Sequence, residues 1–428
     1  MRIMIFTRSE WDDRRSLGNT LTSLFGGKTW EKDQISSIYF RAAKPNNPVC
    51  RTYYQIRPGE ILTRACFPKT MGRPFTWEES PVQAGNNREK ACLELLHRLP
   101  SDHALACWEA MAARGTWVNE RLISWLKAQN PDLFFAYLGD DGVMEPMLRA
   151  VKKYTHAKIV LYGLDDVYGA GKALPGLRGQ RSAGAIEAAV RQADLVYGIS
   201  EEMCREYSRI FRRPVLLLQK GCFWQEIRKK RQNPVKFVYA GNLRYGREKT
   251  LIQVVSALQK AKRKGLSGVL NIYTGAAVPE KLRKQMEIPG VSRIRGPRSY
   301  EELQTILASS DVILEAESFR EAEKIRTRLS FSTKIMDALQ SGGVPLGIGP
   351  SGIGSINFLQ KVPGALVITD PAQIEEEITA FIQNRSRLPD MAEAVRAYAM
   401  QHHDGIRVQQ GLRRDFLDLQ GETETEIR

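Results

Sequence analysis

Between Ser332 and Asp337 the chain sets two hydroxyls, an ammonium and a carboxylate in the run Ser332-Thr333-Lys334-Ile-Met-Asp337. Ser332 and Thr333 are residue types that cap a helix, and Ile335, Met336 and Leu339 would form its apolar face. A helix starting there presents unpaired backbone N–H groups and the positive end of its dipole, a place for an anion. Lys334 in the first turn runs against the usual preference for acids there, which makes sense if the bound group is negative. Asp337, one turn on, can accept from sugar hydroxyls. Together these residues read as a nucleoside-diphosphate site. The alternative is a capped amphipathic helix carrying a lone lysine.

A second cluster has the spacing of a phosphate loop without its chemistry. Gly241-Asn-Leu-Arg-Tyr-Gly246 continues as Arg247-Glu248, where a nucleotide triphosphatase needs Lys and then Ser or Thr. That activity is excluded, but Arg244, Arg247 and Lys249 still sit on a glycine loop after a strand, where cations can reach the same diphosphate. Surface charges on a solvated loop are the plainer reading. Gly347-Ile-Gly-Pro-Ser-Gly352 matches the dinucleotide pattern in letters only. Pro350 removes an N–H from the loop, and Ile353–Gln360 leaves about two helical turns before Val362-Pro363. Asp165-Asp166 is a pair of carboxylates just after an apolar strand, able to act as general base or to bind an acceptor hydroxyl, and equally able to cap a helix. Glu201 and Glu202 read as acids in the first turn of a helix. His97, His103, His156, His402 and His403 have no partner in sequence that would make them catalytic.

The elements that must position these residues follow from hydrophobic period. Residues 2–7 form a strand, and a polar loop reaching Ser16-Leu-Gly-Asn-Thr20 leads into a helix marked by Leu21, Leu24 and Phe25. Short apolar runs at Asp132–Leu138, Ala157–Gly163 and Ala193–Ser200, with a helical pattern over Gly184–Gln192, mark buried parallel strands. Residues Arg41–Ser80 are irregular and read as loops with an edge hairpin.

The stretch 219–234 is basic and poorly patterned, and reads as a linker. A second alternating series then runs through strands at Val235–Tyr239, Val269–Tyr273, Val291–Ile294, Asp311–Leu314, Val344–Ile348 and Leu366–Ile368. Its helices fall at Lys249–Arg263, Pro279–Met286, Tyr300–Ala308 and Phe331–Gln340, with more from Pro371 onward. The expectation is an α/β protein of two doubly wound, Rossmann-like domains facing across a cleft. They would be 1–218 on the acceptor side and 235–400 on the donor side, with a tail at 401–428 that crosses back to the first.

A length of 428 residues suits two domains, and a net charge of +15 with pI near 9.5 implies an acidic partner. The basic runs Arg228–Arg231 and Lys260–Lys264 lack interleaved aromatics, which argues against nucleic acid and fits peripheral contact with an anionic membrane. Six cysteines without metal-ligand spacing look like reduced thiols of a cytoplasmic protein with no metal site. No signal peptide opens the chain, and no apolar run approaches the ~18 residues that span a bilayer.

The series Tyr239-Ala-Gly-Asn-Leu, Arg295-Gly-Pro-Arg-Ser-Tyr-Glu-Glu-Leu, Ser310-Asp-Val-Ile-Leu and Ser330 through Pro345 resembles the second domain of GT-B glycosyltransferases, most of all the family 4 retaining type. That resemblance implies transfer of a sugar from a nucleotide-sugar donor to a glycan or lipid-linked hydroxyl acceptor, in surface polysaccharide or lipid-linked glycan synthesis, without a metal or other cofactor. It implies that Gly241, Arg247 or Lys249, Ser332, Thr333 and Lys334 hold the donor diphosphate, with the Gly18 loop closing on it. Asp337 would meet the ribose, and Arg295, Pro297 and Arg298 the base. Such enzymes commonly carry another acid eight residues before the ribose-binding one, where this chain has Leu329. Glu317, Glu321 and Glu323 are the acids in the loop before it. A nucleotide-sugar epimerase of the same fold and an inactive nucleotide-binding relative are the alternatives.

Overall fold

The computed structural model describes residues 1–63, 71–79, 101–139, 142–173, 176–224 and 233–421, and its chain divides into two compact units, 1–218 with 409–428, and 219–408. In the first unit eight strands lie in the order β4-β3-β2-β1-β5-β6-β7-β8. These are β1 (Arg2–Thr7), β2 (Gln34–Tyr39), β3 (Thr52–Gln55), β4 (Arg73–Thr76), β5 (Leu133–Tyr137), β6 (Lys158–Gly163), β7 (Leu195–Gly198) and β8 (Leu216–Leu217). All neighbours are parallel except β3 and β4, the antiparallel edge pair that the irregular region 41–80 foreshadows. Helix α1 (Ser16–Phe25) follows β1, and α2 to α8 are Pro58–Thr63, Ser101–Ala113, Glu120–Gln129, Met144–Tyr154, Val167–Lys172, Gly176–Gln192 and Glu201–Phe211.

The second unit repeats the plan with six parallel strands in the order β11-β10-β9-β12-β13-β14. They are β9 (Val235–Ala240), β10 (Gly268–Tyr273), β11 (Ser292–Arg295), β12 (Val312–Ala316), β13 (Val344–Ile348) and β14 (Leu366–Ile368). Helices α9 (Arg247–Arg263), α10 (Glu280–Met286), α11 (Tyr300–Ala308), α12 (Glu321–Thr327), α13 (Lys334–Gln340) and α14 (Gly354–Gln360) connect them. Three further helices follow β14, namely α15 (Ile374–Gln383), α16 (Leu388–His402) and α17 (Gly405–Gln420).

Apolar residues on both sheet faces explain why these strands read as continuous apolar runs. Phe237, Leu270, Val312 and Leu314 pack with Leu251, Val255 and Leu258 of α9 in one buried cluster. From β9 the chain winds one way through β10 and β11, and then the other way through β12, β13 and β14. The order therefore reverses between β9 and β12, and ligands of such sheets bind beyond the carboxyl ends of the strands at that point.

Several expectations shift. Ser36 and Ser37 interrupt the apolar run of Gln34–Tyr39, so no strand is legible there, yet it forms β2 with its backbone paired to β1 and β3. Helix α1 begins at Ser16, so Gly18 lies in its first turn rather than in a loop. Helix α13 begins at Lys334 rather than Phe331, because Phe331 turns aside to meet Phe358 edge-on at 5.1 Å. Of the expected linker, residues 219–224 are packed into the second unit, where Cys222 pairs by backbone with the segment at His403–Gly405. Residues 225–232, Cys66, Cys92 and His97 lie outside the described residues. Among the described residues Cys50, Cys107, Cys204 and Cys222 are free thiols. There, too, no helix is long and apolar enough to cross a membrane, and no group of three His, Cys, Asp or Glu residues could hold a metal ion.

Candidate functional site

Beyond the carboxyl ends of β9 and β12 the second unit gathers Gly241, Asn242, Arg247, Glu317 and Lys334. The loop after β9 makes a sharp turn into α9 through two left-handed residues, Tyr245 (φ 60°) and Gly246 (φ 74°). A Cβ at Gly246 would stand 2.5 Å from Ser318 Oγ, so this turn and the one after β12 are in close approach only because the residue is glycine. The turn delivers Arg247 to the first position of α9. Its Nη2 donates to Glu317 Oε1 at 2.7 Å, its Nε to Oε2 at 3.3 Å and its Nη1 to Asn242 Oδ1 at 3.3 Å. Glu317 is 2% exposed, and its backbone carbonyl accepts from Thr250 Oγ1 at 2.7 Å.

Gly246→Ala is expected to destabilise the protein by roughly 2–3 kcal/mol, strain at positive φ plus the clash with Ser318. Gly265→Ala has a similar φ of +78° with nothing within 4 Å of the new Cβ, and should cost about 1 kcal/mol. Denaturant unfolding of both variants separates the contact from the strain; equal losses would show that the Ser318 approach contributes nothing.

The two basic clusters of the sequence meet at Gly241. An ideal Cβ on that residue would lie 2.9 Å from Lys334 Nζ and 2.8 Å from Tyr239 Oη, and the Tyr239 hydroxyl is itself held by donating to Asn242 O at 2.6 Å. Lys334 is half-buried, and loss of solvent lowers the pKa of its ammonium, with Glu315 opposing that shift and Arg247 reinforcing it. Burial raises the Glu317 carboxyl above the usual carboxylate range, against the pull of Arg247, and Glu315 adds to the rise. Burial likewise pushes the Tyr239 phenol up. The result is a poorly hydrated knot of two cations, Arg247 and Lys334, and two carboxylates, Glu315 and Glu317.

Asp337 follows one turn along α13, buried at 7% exposure. Its Oδ1 accepts from Lys220 Nζ at 2.7 Å and from Tyr300 Oη at 3.0 Å, and Lys220 is 4% exposed. Neither Lys220 nor Tyr300 was singled out from the sequence. Lys220 carried no signal because it stood in the basic stretch read as a linker.

The other candidates are placed as follows. Ser332 and Thr333 are half-buried; the Ser332 N–H donates to Ser355 Oγ at 2.9 Å, and Thr333 occupies the N-cap of α13 without a capping hydrogen bond from its side chain. Lys249 is exposed on the first turn of α9. Arg295 ends β11 with its Nε donating to Asn271 Oδ1 at 3.3 Å, and the Arg298 guanidinium lies 6.0 Å from the Tyr273 ring centroid. Pro297 and Arg298 are thus beside the ends of β10 and β11. Leu329 is core, at 2% exposure.

In the first unit Gly18 packs so tightly that a Cβ would fall 2.2 Å from the Asp12 carbonyl oxygen, which gives this glycine a packing reason. The two acids after β6 divide. Asp166 is buried and caps α6, accepting from the Gly169 N–H at 2.9 Å and the Tyr207 hydroxyl at 3.1 Å, whereas Asp165 is exposed.

Two doubly wound sheets, parallel but for the β3–β4 edge pair, define a GT-B fold. No protein-family model matches the chain, and no curated protein does. Solved structures do match along nearly its whole length. Sucrose-phosphate synthase from Thermosynechococcus elongatus is 10% identical with a TM-score of 0.64, covering 98% of this chain and 100% of its own. HepE from Anabaena, solved with UDP and glucose, is 12% identical with a TM-score of 0.63 over 98% and 100%. WaaG, a glycosyltransferase involved in lipopolysaccharide biosynthesis, is 11% identical with a TM-score of 0.58 over 97% and 99%. At such identities the likeness is one of fold.

Proposed function

We propose that the chain is a glycosyltransferase that moves a sugar from a nucleoside-diphosphate sugar to a hydroxyl acceptor, with retention at the anomeric carbon. The observation that carries this reading is the pairing of Lys334 with Arg247 at the switch point of the second sheet, where a glycine lets the ammonium reach the turn after β9. A diphosphate there meets one ammonium and one guanidinium. Charge-assisted hydrogen bonds of that kind, each worth about 1.5–3 kcal/mol, strengthen as the glycosidic bond breaks and negative charge grows on the leaving nucleotide.

Around that centre, Ser332 and Thr333 border the phosphates, and Asp337 offers its second oxygen to the ribose while Lys220 and Tyr300 hold the first. The base lies against Pro297, Arg295 and Arg298. Lys249, from its exposed position, serves the approach of an anionic donor rather than its final seat. In the first unit Asp165, exposed after β6, is the acid that would meet an acceptor hydroxyl, and Asp166 caps α6. The charge that neutralises the departing diphosphate comes from side chains, with no metal. UDP is the nucleotide favoured, since HepE was solved with it, and a lipid-linked or surface glycan acceptor is favoured by the likeness to WaaG and by the net charge of +15, which suits an anionic membrane face.

Nucleotide release from a panel of UDP- and GDP-sugars, with and without membrane extract, tests the reading. Release that needs the extract supports transfer. Sugar conversion without any acceptor would make the chain an epimerase. No turnover with any donor would leave a nucleotide-binding protein, the reading that the apolar Leu329 favours.

A further inference from the structure

The cationic knot is already neutral before any donor arrives. Arg247 and Lys334 are matched by Glu315 and Glu317, and the nearby Asp337 is matched by Lys220. A nucleotide-sugar diphosphate brings two negative charges that do not titrate near neutrality, since each phosphate carries a single strongly acidic oxygen. Adding them to a neutral, poorly hydrated cluster leaves an uncompensated charge of a kind that buried sites relieve by protonation.

We propose that Glu317 is an internal substitute for the donor phosphate, holding Arg247 in the free protein, and that donor binding displaces its carboxylate and transfers one proton from solvent onto it. The inference rests on the diphosphate reading of this site. Glu317 is the carboxylate placed for the exchange: it is 2% exposed, it meets the Nε and Nη2 edge of Arg247, and it follows β12 at the switch point. Among the groups placed around it the further cation is Lys334. Strand β12 contributes Glu315, β9 contributes Tyr239, α13 contributes Lys334 with Asp337 behind it, and α9 contributes Arg247 and the hydroxyl of Thr250. Gly349 after β13 lies against the Glu317 stem, where an ideal Cβ would come within 2.7 Å of the Glu317 Cβ. Once phosphate takes the guanidinium, Lys334 is the cation nearest to it, and the same phosphate claims Lys334. The proton comes from hydronium or a buffer acid in bulk solvent, whose bond to it breaks as the Glu317 O–H forms; the Arg247 to Glu317 ion pair breaks, a neutral carboxylic acid remains, and no other covalent bond changes. Burial already favours the neutral form of this carboxyl.

Proton uptake makes donor affinity depend on pH with a definite sign. Where free Glu317 is ionised and bound Glu317 is protonated, Kd rises by about tenfold for each unit of pH. The test is titration calorimetry of the whole chain with UDP-glucose, and with GDP-mannose if UDP-glucose does not bind, in buffers of different ionisation enthalpy across neutral pH. Uptake of close to one proton with the wild-type chain is the expected result, and it requires no variant to fold. Glu317→Gln, its fold checked by circular dichroism, should bind with no uptake, a Kd flat in pH and an affinity at neutral pH several-fold tighter than wild type. Binding without proton uptake would overturn the exchange while leaving the diphosphate site in place, with Glu317 a mere orienter of Arg247. Uptake that persists in Glu317→Gln would place the proton on another group of the cluster, such as Glu315, and overturn the assignment. No binding of either nucleotide sugar would remove the diphosphate reading and this inference with it.

Discussion

Replacing Lys334 with methionine is expected to lower kcat/KM for the nucleotide-sugar donor by about 10- to 100-fold, the worth of one charge-assisted hydrogen bond to a leaving phosphate. Stability should change by no more than about 1–2 kcal/mol, because methionine keeps the apolar stem against Gly241 and the relief of removing an ammonium that the fold desolvates offsets much of the charge left unmatched on Glu315 and Glu317. The split between lost activity and retained stability is what marks a functional cation. The sign of the pH effect follows from the same burial. The folded pKa of Lys334 is depressed, so between that value and the ordinary lysine value the unfolded chain holds the extra proton, and stability at this site rises with pH. Lys334→Met should remove that slope. Steady-state kinetics and melting curves decide the matter, and donor kinetics equal to wild type would end the diphosphate role.

Lys220→Ala is expected to have the largest effect on stability, about 3–5 kcal/mol, because it leaves a carboxylate that is 7% exposed with the Tyr300 hydroxyl as hydrogen-bond donor and Lys334 acting on it without a direct ion pair. In a unit of this size that corresponds to a fall in Tm of roughly 6–20 °C. Lys220→Met combined with Asp337→Asn should recover most of the loss, since the cost lies in the stranded charge and not in the absence of the pair. Thermal melts of the single and double variants carry the test; a Lys220→Ala protein that melts with the wild type would show that Asp337 is far better solvated than its surroundings indicate.

The sequence was most informative where local pattern and global packing agree. Val344–Ile348, buried along its whole length, and the half-buried edge strand Leu366–Ile368 are legible to the residue because nothing polar interrupts them. Strand β2 was not, because Ser36 and Ser37 break its apolar run and only pairing on both sides makes Gln34–Tyr39 a strand. Helix α12 is not legible in the sequence because four of the seven residues of Glu321–Thr327 are charged and no apolar face marks it. For the site, glycine spacing and the lone Lys334 mark two segments that the fold brings together at Gly241. What no spacing reveals is which acid meets which base. Glu317 stands seventy residues from Arg247, and Lys220 one hundred and seventeen from Asp337. Such pairs are products of the sheet order alone.

The aromatic residue Phe416 lies near the end of the described chain in α17, fully buried, with its ring 5.9 Å from Trp30 and 6.3 Å from both Phe25 and Phe135. Gln409 and Asp415 reinforce that seat, the first donating to Ser23 O at 2.7 Å and the second accepting from the Tyr197 hydroxyl at 2.5 Å. The core of the first unit is therefore finished by residues that a ribosome adds after the whole of the second. During synthesis the first two hundred residues emerge with an aromatic gap among Phe25, Trp30 and Phe135, and must wait through nearly two hundred more before it closes. The native first unit is thus completed by α17, the last of the described helices, and a polypeptide cut short before it leaves that gap open to chaperones and proteases.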